Sequence, residues 1–584
     1  SGIGNVAIGY QALDATATSD YNIAVGASTL SALTGDGSTN NVAIGHSAGL
    51  TLTVGASNIL IGRNALKLAA VGESSNIAIG ADAMASVDEG TAGGDADHNI
   101  AIGSDALTGG DFAGNDRQLQ GNIAIGGNAL NSTGTTAQTG VIAIGYESLT
   151  ALNSSDSQGT TAIGYQTGAA LESGIGSVLI GYGTGKTLTT GDYNTAVGYQ
   201  VMESNITGVN NTAIGYQAMN AANGSEGNMT AIGYKALGNM DNNSSTANIA
   251  IGSGAGDGMG AYIATNNIFV GVDTGGGTWT ASTCDHNVAI GNSSMDAAMA
   301  GANYNTAVGG ASLSSVTTAD NNVAVGYLAS NAITTGSQNT IIGSLAGDGF
   351  DAESDNTFIG YKAGTGSGSA ASCVAVGSDS LAGAITQDGT IAIGYQSLNA
   401  LTSGVRNLAV GYQSLATNTT GGDNIMIGYQ AGTIANEAGF AQNVGIGSYV
   451  FDGAGTVAAA NNTAVGYATL SGTLTAAADD NTVVGFKAGF AITSGANNVG
   501  VGSNALLALT SGGGNVAVGF ESLMTENVGS GNVALGYRAL KAVDHDDGHN
   551  IAIGHEAMVN SANAYWNIAI GRSAGAEMSS ANVG

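Results

Sequence analysis

Asn5-Val6-Ala7-Ile8-Gly9 is the first of thirty-two versions of one five-residue phrase in this chain, and the last is Asn567-Ile568-Ala569-Ile570-Gly571. Successive copies lie 17 residues apart in sixteen of the thirty-one intervals and 18 to 23 apart in the others. Such a period suits one coil of a β-solenoid and is too short for helical-hairpin repeats. Each coil of such an array contacts only its neighbours, so length grows without separate cores. Residues 1–584 therefore read as a single continuous array, and the expected fold class is all-β: a parallel β-solenoid or β-roll of about 32 coils. The chain begins at Ser1, so it is expected to be part of a longer polypeptide.

Positions within the coil are counted from the Asn, which occupies position one in 26 of 32 copies; Val141, Thr160, Ser177, Met229, Cys373 and Thr390 replace it elsewhere. Asn tolerates left-handed turn geometry, and stacked amides can bond to one another. Asn5, Asn211 and Asn532 thus mark the corner where a strand begins. Positions two to four form that strand, with side chains alternating between its faces. Position four is always Ile, Val or Leu, which predicts that it faces the coil interior, with position two, Thr in nine copies, at the edge of the same face.

Position three is Ala in 23 copies and otherwise Leu60, Leu179, Phe269, Ile341, Phe358, Met426, Val483, Gly445 or Gly500. With no charge or hydroxyl there, the strand reads as buried on both faces. The second face needs either further copies of the chain or the coil's own returning segment as cover. The invariant Gly at position five, as in Gly9, Gly215 and Gly536, implies positive φ or close backbone approach. Position six is Tyr in 14 copies. Ala or Ser at position eight and Leu, Met or Gly at position nine predict a second short strand, and the remaining Gly, Ser, Thr, Asn, Asp and Ala residues are loop material. Coils stacked at strand spacing would make a rod of about 150 Å.

Composition narrows the function classes. Proline is absent, as expected where nearly every strand N–H bonds to the next coil. Forty-two acidic against eleven basic residues give a formal charge of −31, which argues against nucleic acid and anionic lipid as partners. No long apolar run or export leader is present, so no membrane insertion by this segment is expected. The two cysteines, Cys284 and Cys373, are read as free thiols.

The units NVAIGYQAL from Asn5, NTAIGYQAM from Asn211 and NVALGYRAL from Asn532 resemble the head repeats of trimeric autotransporter adhesins, and similar arrays in phage tail-fibre and surface-fibre proteins. The resemblance spans essentially the whole chain. It implies a left-handed parallel β-roll wound as a homotrimeric fibre in an extracellular setting, on a cell surface or a virion. The adhesin head unit is typically shorter, and no heptad stalk or membrane-anchor barrel is seen in this chain, which keeps the phage and other extracellular-fibre readings open.

Candidate chemistry is sparse. Gly-x-Ser-x-Gly occurs at Gly45–Gly49 and Gly571–Gly575, but a nucleophile elbow needs a strand-to-helix turn. No enzyme is expected. Asp544, Asp546, Asp547 and His549 are candidate ligands for Ca2+ or another divalent cation, against the alternative of a solvated loop. Asp348, Asp351, Glu353 and Asp355, and Asp95 with Asp97, raise the same question; no other cofactor is expected. Three longer connections, Asp88 to His98, Thr108 to Gly121 and Asp273 to His286, are candidate binding loops. Trp279 in the last of them, and Tyr10, Tyr199 and Tyr395 in the Tyr row, are candidate contacts for a cell-surface glycan or protein receptor. The alternative is that the row flanks a seam between chains. The expected function is a non-enzymatic structural or adhesive fibre segment with multivalent contacts; the alternative is a self-assembling matrix or surface filament without a receptor.

Overall fold

Parallel pairing of one five-residue phrase with the next builds the fold. The computed structural model describes residues 2–578 apart from 16–17, 70–71, 89–94, 110–117, 135–136, 155–157, 281–282, 367, 436–438, 456–457, 476–477, 544–547 and 562–564. The chain divides into two compact units, Ser1–Asn303 and Tyr304–Gly584. Each is a parallel β-solenoid carrying sixteen three-residue strands at positions two to four of its coils. Register is strict: Val6, Ala7 and Ile8 pair with Ile23, Ala24 and Val25 in the first unit, and Thr306, Ala307 and Val308 with Val323, Ala324 and Val325 in the second. A single 3-10 turn, Asp257–Met259, is the only helical element among the described residues.

The strand faces are the reverse of the sequence expectation. Position three is the buried one: Ala24, Ala213, Phe269, Phe358 and Ala552 have no exposed surface. Position four points out of the coil, with Ile8 60 %, Ile214 37 % and Ile446 40 % exposed. The reason is volume. A coil of 17 residues encloses a thin interior, and its densely packed space accepts a methyl group where it cannot accept a row of sec-butyl groups.

Across that interior, position three meets position nine, and the two share a fixed volume. Where position three is Ala, position nine is commonly Leu or Met, as in Ala213 with Met219. Where it is Phe358, Ile341 or Phe269, position nine is Gly364, Gly347 or Gly275, and a Cβ added to those glycines would lie within 3 Å of the large side chain. Gly445 reverses the arrangement, facing Phe451.

The expected second strand at positions eight and nine is a turn instead. Positions seven and nine take left-handed conformations without being glycine: Gln217 has φ 53° and Met219 φ 50°. This alternation sends successive N–H groups to opposite neighbours. Gln217 donates to the Tyr199 carbonyl of the preceding coil at 2.9 Å and Met219 to the Ala236 carbonyl of the following one at 3.0 Å. Two-residue strands do occur, ahead of the Asn, where Leu119–Gln120 pairs with Gln138–Thr139 and Ala264–Thr265 with Cys284–Asp285.

The corner Asn behaves as its chemistry predicts. Asn498 donates Nδ2 to Asn481 Oδ1 at 3.0 Å and to the Gly512 carbonyl at 2.9 Å, while its own Oδ1 accepts from Asn515 N and Nδ2. Asn5 and Asn211 join the same ladder, Asn5 Oδ1 accepting from Asn22 N and Asn211 N donating to Asn194 Oδ1; Asn532 N donates to Asn515 Oδ1. Since a buried amide left without partners costs about 1–3 kcal/mol, the ladder fixes where each coil turns. Gly215 meets both conditions read from its invariance, with φ 136° and the Gly233 carbonyl 2.4 Å from where a Cβ would stand. Cys284 and Cys373 are both buried and neither is in a disulfide.

Candidate interaction surface

Because positions two and four share the outward face, each unit carries a continuous stripe of aliphatic and threonine side chains. No charged residue occupies either position in any copy, in a chain whose formal charge is −31. The stripe is a built feature: parallel register aligns Ile100 with Ile123, and Thr195 with Thr212, so like residues fall into rows one strand spacing apart. Covering the partly exposed Ile and Val side chains would gain on the order of 0.5–1 kcal/mol each.

Position six sets an aromatic row beside the stripe. In the first unit Tyr146, Tyr165, Tyr182, Tyr199, Tyr216 and Tyr234 stack face to face, with centroids 5.0–5.7 Å apart and planes within 15° of parallel. In the second, Tyr395, Tyr412 and Tyr429 stack at 5.1–5.2 Å, and Tyr449 then stands edge-on between Tyr429 and Tyr467. Position seven adds amide pairs, Gln217 to Gln200 at 3.1 Å and Gln430 to Gln413 at 2.9 Å. A shallow polar recess of about 110 Å³, lined by Gln217, Asn220, Lys235, Gly238 and Asn239, adjoins the Tyr234 end of the first row.

The candidate receptor contacts separate accordingly. Tyr10 is 74 % exposed. Tyr199 lies within the six-ring ladder with a ring on each face, and Tyr395 heads the second with Tyr412 on one face. Stacking uses both ring faces of Tyr199, which leaves its edge and hydroxyl, and not a flat platform, for a sugar. Trp279 is a correction: it is 2 % exposed and packs edge-on against Phe269 with centroids 6.4 Å apart. Gly256 and Gly275 make the room for Phe269, and the indole fills the same interior, so it offers no surface to a receptor.

Four of the acidic candidates bond to backbone or hydroxyl groups of the chain itself. Glu353 Oε2 accepts from Asp351 N and Ala352 N, and Asp351 accepts from the Thr334 hydroxyl. Asp95 Oδ1 accepts from Asp97 N, and Asp97 caps Ser74 N. Burial pushes the Asp97 and Asp348 carboxyls above the usual carboxylate range. Asp544, Asp546 and Asp547 lie outside the described residues, while His549 stacks on Trp566 at 4.6 Å. Among the described residues no three His, Cys, Asp or Glu side chains converge as a metal site. Ser47 bonds to His46 Nδ1 at 3.0 Å within an ordinary repeat turn, where Ser47 is the left-handed position-seven residue.

The stripe was missed as an outward feature, although one signal was present in the sequence: position nine shrinks to Gly in six of the seven copies whose position three is larger than Ala, Leu60 with Leu66 being the exception, which places those two positions together inside. No helix among the described residues is long and apolar enough to cross a membrane. Neither a protein-family model nor a curated protein matches this chain.

Proposed function

We propose that this chain is a non-enzymatic structural segment of an extracellular fibre, in which three copies associate through their aliphatic stripes and present loops and aromatic edges to a cell surface as repeated weak contacts. The uncharged outward stripe carries the reading. A face with one chemical unit per coil is matched along its length by a partner with the same spacing, and another copy of this chain has it. The −31 charge opposes association elsewhere on the surface, but the stripe itself carries no like charges. Three copies follow from the likeness of the repeat to trimeric adhesin heads, and repetition of weak contacts along a fibre multiplies avidity.

Light scattering on the full chain after size exclusion tests this. A mass three times 56.7 kDa is expected. A stable single-chain mass sinks the reading, and a mass that climbs without limit with concentration favours the receptor-free filament.

A further inference from the structure

The stripe is periodic, and periodicity poses a problem of its own. Two identical stripes can pair after sliding by one coil, about 4.8 Å, with almost no loss of apolar contact. The fibre proposed above, on which this inference rests, therefore needs something that distinguishes one coil from the next.

Position two supplies it. Thr161, Thr195, Thr212 and Thr230 stand in the first unit, and Thr306, Thr340, Thr357, Thr463 and Thr482 in the second, while every other copy has Val, Ile or Leu there. All nine are described, all are at least partly exposed, and among the described residues none of their hydroxyls has a hydrogen-bond partner. Other Thr side chains behave differently: Thr29, Thr167, Thr184 and Thr274 bond to glycine carbonyls of the following coil. The nine position-two hydroxyls thus stand unused on the outward face, within a stripe otherwise composed of aliphatic side chains.

We infer that these nine threonines key the axial register between copies, each hydroxyl meeting its own counterpart on a neighbouring chain. A hydroxyl both donates and accepts, so it is self-complementary in a way that neither a carboxylate nor an ammonium is. Covering one against a methyl group leaves a buried polar atom without a partner, whereas covering it against another hydroxyl does not. Their spacing is irregular: Val178 interrupts the first run and Val323 the second. Aligned copies match every threonine of a unit. A slip of one coil in the first unit leaves Thr161 opposite an aliphatic residue whichever way the chain moves, because Val178 follows it and Ile142 precedes it. The aliphatic positions hold the copies together, and the hydroxyls select one alignment.

The test uses the full chain with a spin label on Thr190→Cys, an exposed site, since both native thiols are buried. Distances between labels on different copies are read by pulsed electron resonance, with native mass and circular dichroism on the same samples. With the threonines in place, one narrow distance is expected. With all nine changed Thr→Val, a shape-conserving substitution that keeps the β-branch, the expected result is unchanged mass and fold but several distances, as copies slip by whole coils. An equally narrow distance at unchanged mass in the valine variant overturns the inference, as does a broad distribution before substitution. A single-chain mass in the unsubstituted protein removes the association itself, and the mass measurement separates that outcome from a failure of register alone.

Discussion

Glycine is required for two separable reasons, and Gly215 and Gly140 divide them. Both have positive φ, but an added Cβ at Gly215 would lie 2.4 Å from the Gly233 carbonyl, whereas at Gly140 nothing stands within 4 Å. Gly140→Ala should cost about 1 kcal/mol, the strain of a left-handed residue. Gly215→Ala should cost at least about 3 kcal/mol, because backbone must move as well; equal shifts in denaturant midpoint would refute the distinction. Charge acts at the same scale. Glu521 bonds to Lys541 at 2.7 Å and Arg538 at 2.8 Å, and these partners, Lys541 foremost, hold its carboxyl below the usual range. A lowered folded-state value means that the pair's stabilisation is present above the ordinary carboxylate pKa and is lost as pH falls through the lowered one. Glu521→Gln should therefore narrow the gap to the unsubstituted protein in acid and leave it widest near neutrality, as followed by thermal melts from pH 3 to 7.

At the scale of the coil, strand and turn are coupled through shared volume. Phe358→Ala should cost about 3–5 kcal/mol through the cavity it leaves, and Gly364→Leu should fail by overpacking against Phe358. The double variant should recover most of the loss, since Ala with Leu is the repeat's common pairing and position nine already accepts Leu with positive φ. A double-mutant cycle with additive losses would show that the two positions do not share space. This coupling also explains what the sequence could and could not disclose. Period, strand position, Asn ladder and glycine bend were legible because each depends on backbone geometry that one residue type satisfies. The facing of the strand was not legible from hydrophobicity, since both faces are apolar and the larger side chains suggested the interior. The turn at positions seven and nine was hidden because Gln, Leu and Met there carry no left-handed preference of their own; hydrogen bonds to coils on both sides impose it. Trp279 read as a surface anchor because it stands in a long connection, yet the glycines beside Phe269 open an interior site that the indole fills.

For the whole molecule, the stripe predicts that assembly and folding respond to different substitutions. Ile214→Glu with Ile393→Glu places carboxylates where the single chain already meets solvent, so the circular dichroism spectrum should be retained while the native mass falls to 56.7 kDa. Retention of the higher mass would mean that association uses another face. The left-handed pair in each turn has a consequence for how such a chain comes to be folded. Gln217 and Met219 each hold a conformation that costs an L-residue about 1–2 kcal/mol, and the bonds that offset it reach to Tyr199 and Ala236 in the flanking coils. A lone coil is therefore uphill, and stability begins only when neighbours are in place, as in any one-dimensional growth with a costly nucleus. Nucleation should be rare and propagation fast, each finished coil acting as the template for the next. An added copy brings both its own strain and the neighbour that relieves it, so arrays of this kind can lengthen by duplication one coil at a time without redesign of what is already folded.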